Sequence, residues 1–417
     1  MRLSPDLTRR GFVGAVASAG ILTGLSCTDR AKFSPNGVAS LADRLIEDKR
    51  APGLVIAHGK ASEPTHFLTR GTIAFDSKTP VDQNTLWRIY SMTKPMTGMA
   101  AMILISEGRL ALDQPVSDFI PAFQKIKVSV DGSGLQALPA RTPVTVRHLL
   151  THTSGLIYGE FTESPIADAY RKLGIFGLQT KQGENLEAAP SLAEFADRAA
   201  TIPLVCEPGA NWVYGVGLDV LGRVIEVASG EPFDRFLQRR LIDPLGMTST
   251  FFTVPEALKD RLSPSYERGV FSVHVLDPAA SSIYLEAPPI PYGGSGLVSS
   301  ARDYDRFLAM IGNRGMLDGQ EIMRPDAVAM GVSNLAPAGV NLAELRMTTG
   351  DPSEGQGAGA SIVLDGVAAG TFGWAGMAGT VGRVNVKTGL RYSGFLNVVG
   401  ETRLMNDLGP AVQREFA

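Results

Sequence analysis

The chain has 417 residues, 44% of them hydrophobic and 19% charged, with a formal net charge of −3. That is long enough for one large or two modest domains around a sizeable core, and too apolar for a disordered chain. The charge balance gives no electrostatic case for nucleic acid or an anionic membrane surface, and two cysteines, Cys27 and Cys206, without a Cys/His cluster at zinc spacing, give no disulfide framework and no metal site.

Residues 1–30 read as an export signal. Thr8-Arg9-Arg10-Gly11-Phe12-Val13 sets a twin arginine before an apolar stretch over 12–25. This is the pattern of a twin-arginine leader, which implies a periplasmic protein that folds before crossing. The stretch is short and rich in glycine and alanine, so a stable span is not expected. Gly24-Leu25-Ser26-Cys27 loosely resembles a lipoprotein cleavage box, with glycine where leucine is usual. Cys27 therefore has two readings, a lipid anchor or a leader cysteine lost on cleavage. In both, Cys206 is left without an intramolecular partner.

Residues 28–37 read as a linker. A helix is predicted over 39–49, with Leu41, Leu45 and Ile46 on one face, and a glycine-bounded buried strand over 53–59. Further strands are expected at 66–72 and 85–89. An apolar helix then runs through Met96, Met99, Met102 and Ile103 to a glycine stop at Gly108. Residues 124–145 are mixed and turn-rich.

A helix is expected over 144–155. Its His148 and His152 lie four apart with no accompanying carboxylate in a ligand pattern, so they read as structural histidines. Residues 167–255 are mostly helical in pattern, notably 218–227 and 232–241, and 264–292 is extended and proline-rich. Gly293-Gly294-Ser295-Gly296-Leu297 is a glycine turn leading into a helix over 301–311, capped by Ser299 or Ser300. It lacks the lysine of a phosphate loop, so it reads as a backbone packed too closely for side chains; no cofactor is expected.

From 361 to 399 the pattern alternates as an antiparallel meander. Strands at both ends with helices between them predict an α/β fold. An antiparallel sheet flanked by helices would be built from 37–115 and 285–417, with a mainly helical domain, 116–284, inserted.

Chemistry is suggested by Ser91-Met92-Thr93-Lys94. At the start of a helix, residues i and i+3 share a face, so the hydroxyl and the amine can meet. A first-turn serine also has an unpaired backbone N–H where an anion could form. An adjacent ammonium favours the alkoxide, and a desolvated lysine can act as a base. Alone, the tetrapeptide is an ordinary capped helix start, but Lys94 lies between an apolar strand and an apolar helix, a poor place for a solvated amine. A serine hydrolase also needs a second base. Tyr214, in the glycine-rich loop 208–217 before an apolar helix, is the best candidate, although a tyrosine so placed is usually a core aromatic.

Taken together, several motifs resemble the serine β-lactamase and penicillin-binding-protein superfamily on its class C side. They are Ser91-x-x-Lys94, the Tyr214 loop, Leu149-Leu150-Thr151-His152-Thr153-Ser154-Gly155-Leu156, Pro244-Leu245-Gly246-Met247 and Gly293-Gly294-Ser295-Gly296-Leu297. The resemblance covers about residues 37–400. It implies a β-lactamase/transpeptidase-like fold with Ser91 as nucleophile, Lys94 as its activator, and Tyr214 as general base and then acid. It also implies an oxyanion hole from the backbone N–H groups of Ser91 and Met377.

Two departures matter. Tyr214-Gly215-Val216 lacks the asparagine of the class C Tyr-x-Asn motif. The strand expected to line the site carries Trp374-Ala375-Gly376 in place of Lys-Thr-Gly, whereas Lys387-Thr388-Gly389 reads as a turn between strands. Family VIII carboxylesterases show Tyr-Ser-(apolar) and Trp-Gly-Gly at these two places, and Trp374-Ala375-Gly376 is similar to the second. The expected substrate is therefore a small-molecule ester. β-Lactam, D-amino-peptide or linear amide cleavage is the alternative on the same machinery, and a catalytically silent penicillin-binding module is the alternative of another class.

Overall fold

The computed structural model describes residues 37–179, 188–269 and 272–416, so the twin-arginine segment and Cys27 lie outside the described residues. Helix α1 (Gly37–Glu47) buries Val38, Leu41, Ala42 and Leu45, the spacing of one helical face. The unbroken apolar run of β1 (Gly53–Lys60) has a simple cause. Val55 and Ala57 enter one core cluster, and Leu54 and Ile56 enter another. Successive side chains of a strand point to opposite faces, so such a strand must be covered on both.

Around β1 lie β2 (His66–Gly71), β3 (Glu354–Gln356), β4 (Ser361–Val363), β5 (Thr371–Gly376), β6 (Thr380–Asn385) and β7 (Leu390–Phe395). They form one sheet in the order β3-β4-β5-β6-β7-β1-β2, with every neighbouring pair antiparallel. The two ends of the described chain thus meet in one sheet, as the buried strand read at 53–59 and the alternation at 361–399 predict. The 386–389 segment is a hairpin turn, in which Asn385 Oδ1 accepts from the N–H groups of Lys387 and Thr388, both at 3.0 Å. Lys387 is therefore not part of the strand that faces Ser91.

One face of the sheet packs against α1 and the C-terminal helix, which contribute Leu41, Leu45, Leu404, Leu408 and Val412 to the same cluster as Leu54, Ile56 and Val381. The other face packs against α2 (Thr93–Ser106) and the helix over Ala301–Gly312. Every residue of α2 from Thr93 to Leu104 is buried. A helix apolar on all sides can only be enclosed, and α2 is wrapped by the sheet on one side and by α3 (Gly217–Ser229) on another. The helix Ala301–Gly312 is α4, capped by Ser300, whose Oγ accepts from the Asp303 N–H at 3.2 Å. The C-terminal helix, Arg403–Phe416, is α5.

Two predicted elements differ. The helix expected over 144–155 is only Val146–Leu150. Thr151 Oγ1 bonds back to the Arg147 carbonyl at 2.7 Å, and His152 takes a left-handed φ of 54°, which ends the helix. The strand expected over 85–89 shortens to Trp87–Arg88, paired with Val298–Ser299. That pairing carries the glycine-rich turn to the start of α2, and the Ile89 N–H donates to the Leu297 carbonyl at 3.0 Å.

Candidate active site

Ser91 lies in a single 3-10 turn, Tyr90–Met92, directly before α2. Tyr90, a non-glycine residue, has a φ of 42°. This left-handed conformation costs on the order of 1 kcal/mol and persists only where the surroundings impose it. Here Tyr90 packs with Ala378 and Val399. The turn brings Ser91 to the wall of a cavity of about 400 Å³, which Tyr214, Trp374 and Met377 also line.

Three predicted residues converge. Lys94 Nζ lies 3.0 Å from Ser91 Oγ, and Tyr214 OH lies 2.8 Å from the same oxygen. The Trp374 indole N–H donates to Tyr214 OH at 3.1 Å. Lys94 is fully buried, and its second contact is the Gly294 carbonyl at 2.7 Å. Its Nζ also faces the rings of Tyr214 and Tyr158, at 4.7 and 5.3 Å from their centroids, in cation–π geometry.

β5 supplies the other wall. Its pairing with β4 ends at Ser361↔Gly373, so Trp374, Ala375 and Gly376 have no strand partner on that side. A Cβ on Gly376 would lie 2.3 Å from the Ile89 carbonyl, so only glycine lets β5 close on the Ser91 turn. Met377 is the first residue beyond β5, and its N–H makes no hydrogen bond among the described residues. The Ser91 and Met377 N–H groups thus border the same end of the cavity. Trp374 turns toward Tyr214, and Ala375 turns to the opposite face of the strand, packing against the α1/α5 cluster.

Other residues of the site are missed by motif reading. Asp219, on α3, is fully buried, and its Oδ1 accepts from the Gly294 N–H at 2.9 Å. Burial pushes its carboxyl up to about 7, although the Gly294 N–H and the Lys94 charge pull the other way. A Cβ on Gly294 would lie 2.8 Å from both Asp219 Oδ2 and Tyr158 OH. The glycine turn read as close packing is close packing, and it holds the acceptor for Lys94. The available signal is Asp219 itself, a charged residue in a strongly apolar helical run.

Burial also raises Glu160, nearby, to about 7. His152 packs 4.8 Å from the Tyr214 ring, and its burial and the Lys94 charge keep it neutral. This agrees with a structural histidine. Among the described residues no group of His, Cys, Asp or Glu side chains could hold a metal, and no helix is long and apolar enough to cross a membrane.

The family model described as "Beta-lactamase" matches residues 38–414. The chain belongs to the beta-lactamase family. It is 35% identical over 260 residues to an uncharacterised protein of Mycobacterium tuberculosis, covering 61% of each chain. It is also 31% identical over 314 residues to esterase EstB of Burkholderia gladioli, covering 71% of this chain and 75% of EstB. The chain thus spans about three-fifths of the first curated relatives it matches. Among solved structures, EstCE1, described as a hydrolase with promiscuous acyltransferase activity, superposes with a TM-score of 0.74 at 24% identity. That match covers 89% of this chain and 96% of EstCE1, and it establishes the shared fold.

Proposed function

We propose that this family member is a serine hydrolase that cleaves carboxylic esters through an acyl-enzyme on Ser91. The observation that carries the reading is the clasp on one oxygen, with Ser91 Oγ held by Lys94 Nζ at 3.0 Å and Tyr214 OH at 2.8 Å. EstB and a lovastatin esterase of Penicillium rubens, 33% identical over 267 residues, are named esterases in the same family and add weight.

In the first step the Ser91 hydroxyl gives its proton to the Tyr214 phenolate as Oγ bonds to the ester carbonyl carbon. The carbonyl oxygen takes the electron pair and is stabilised by the N–H groups of Ser91 and Met377. Lys94 supplies positive charge to both oxygens of the relay, a Ser-Lys variant of triad logic. As the C–O bond of the ester breaks, Tyr214 returns the proton to the leaving alkoxide. Water, deprotonated by Tyr214, then attacks the acyl carbon, and as the Oγ–acyl bond breaks Tyr214 returns that proton to Ser91 Oγ, which frees the acid and restores the phenolate. Trp374 is a positioning residue in this scheme, fixing the phenol by its 3.1 Å contact.

Ester is favoured over amide by what borders the reacting end. Trp374 stands where a lysine would grip a carboxylated lactam, and Lys387 is held in the hairpin turn. Intact-mass analysis after incubation with a fluorophosphonate tests the reading. We expect one adduct on Ser91 in the wild-type enzyme and none in Ser91→Ala. An unmodified wild-type protein would leave a silent binding module. For localisation we propose export through the twin-arginine leader at Arg9 and Arg10.

A further inference from the structure

The cavity at Ser91 does not end at the catalytic group. It passes the unpaired edge of β5 at Ala375 and continues on the opposite face of the sheet, between β6 and β7 below and α5 above. Alternation fixes which side chains meet it. A Cβ on Gly382 would strike Tyr304 and Met92 on the α2/α4 face, so its neighbours Val381 and Arg383 point to the α5 face. Arg383 sits opposite Gly373 on β5 and opposite Tyr392 on β7.

This far chamber is polar and incompletely satisfied. Arg383 Nη1 donates to Glu354 Oε1 at 3.1 Å and to Ser361 Oγ at 3.4 Å. Its Nε and Nη2 make no hydrogen bond among the described residues, although the side chain is only 18% exposed. The Tyr392 hydroxyl and the side-chain amides of Asn406 and Gln413 also line the chamber without a hydrogen-bond partner among those residues. Asn406 is exposed, Arg383 and Gln413 are half-buried and Tyr392 is buried, so these donors and acceptors face open space, and their hydrogen-bonding capacity is open to a ligand that enters the chamber.

The charge balance narrows its chemistry. Glu354 already neutralises Arg383, and Asp351 at the rim adds a further negative charge. A carboxylate or phosphate would enter a chamber with a net negative surround. An uncharged group with carbonyl or hydroxyl oxygens would accept from Arg383 and Asn406 without that cost.

We propose that the α5-side chamber around Arg383, Tyr392 and Asn406 is a subsite for an uncharged, oxygen-bearing group of the substrate, an amide, lactone or polyol, remote from the ester. This rests on the ester-hydrolase reading of Ser91. The strand sets the reach. From Gly376 beside the Ser91 turn to Gly373 opposite Arg383 is three residues, roughly 10 Å. An extended chain advances about 3.5 Å for every three bonds, so the group sits about eight or nine bonds from the scissile carbonyl.

Two matched series test the subsite. In one, p-nitrophenyl esters carry an acyl chain of about eight carbons ending in a primary amide, an isopropyl group of the same shape, or a carboxylate. In the other, acetate esters carry the same three ends on the alcohol. We expect kcat/KM for the amide to exceed that for the isopropyl by about tenfold in one series, the return on one or two ordinary hydrogen bonds. The carboxylate should fall below the amide. In Asn406→Leu the amide preference should drop to threefold or less, and in the double variant Arg383→Gln/Glu354→Gln, which removes both charges together, it should vanish.

The wild-type comparison needs no variant. An amide-to-isopropyl ratio below about three in both series overturns the subsite, and so does a preference for the carboxylate. A tenfold ratio unchanged by Asn406→Leu would also overturn it. Wild-type turnover of p-nitrophenyl acetate separates the two readings. If acetate is hydrolysed and the ratio is flat, the subsite alone fails. If acetate is inert, the ester reading fails with it.

Discussion

Asp219→Asn tests the buried acid behind Lys94. The carboxyl of Asp219 titrates near 3.8 in the unfolded chain and at about 7 in the fold, raised by burial. Between those values the folded protein holds a proton that the unfolded chain has released. Its contribution to stability is therefore fully present below pH 4 and is lost as pH rises through 7. The difference corresponds to ~4 kcal/mol, an order-of-magnitude figure because the group is fully buried.

Asparagine keeps an acceptor for the Gly294 N–H, which Asp219 Oδ1 meets at 2.9 Å. It offers a donor toward Tyr158 OH, which has no hydrogen-bond partner among the described residues. The variant removes the ionisation and keeps the hydrogen bond. Urea denaturation of both proteins at pH 5 and pH 8 is the assay. Glu160, also raised to about 7, remains and contributes its own slope. We expect the wild type to lose stability from pH 5 to pH 8, and the variant to lose less by on the order of 3 kcal/mol. Equal slopes in the two proteins would refute the argument and show Asp219 ionised throughout.

Three further outcomes are expected. Lys94→Ala should reduce kcat/KM on p-nitrophenyl butyrate nearly as far as Ser91→Ala does, and the double variant should be no worse, because residues that act as a unit are not additive; additive losses would separate them. Lys387→Ala should stay within a few-fold of wild type, since Lys387 lies in the 386–389 turn; a loss like that of Tyr214→Phe would show that it reaches the substrate. Replacing Arg9 and Arg10 with lysines should trap the precursor in the cytoplasm, as a receptor-read signal requires, and fatty-acid labelling should decide between the two readings of Cys27; unchanged secretion would assign the general pathway.

Much of the site is legible in the sequence because its parts carry local signals. Ser91 and Lys94 are one helical turn apart, and their meeting follows from helix geometry alone. The 361–399 meander is visible in its alternation, and the Trp374 strand with it. Asp219, Tyr158 and the Gly294 carbonyl are not legible as a set. Each is an ordinary residue of its own segment, and their contact depends on three elements that are remote in sequence packing around Lys94. The shortened helix at Val146–Leu150 fails for a different reason. Its apolar spacing is helical, but the Thr151 side chain competes for the backbone and His152 turns left-handed. The Arg383 chamber is hidden as well, because alternation places Arg383 on a face without telling what covers it.

The central claim is that this machinery cuts esters, and the ratio of two rates tests it most directly. The proposed oxyanion donors, the N–H groups of Ser91 and Met377, are backbone groups and do not distinguish ester from amide. Selection falls on the leaving group, since a phenoxide departs with little help and an amine must be protonated by a well-aimed acid. Tyr214 is the acid we propose, and the proposed correspondence sets Val216 where the class C motif has asparagine and Trp374 in the lysine's place. A misplacement of about 1 Å can cost on the order of 100-fold. We expect kcat/KM on p-nitrophenyl acetate to butyrate to exceed that on nitrocefin by at least about 100-fold, or ~3 kcal/mol in barrier. Comparable values on the two substrates would contradict the account and make the protein a β-lactamase or amidase.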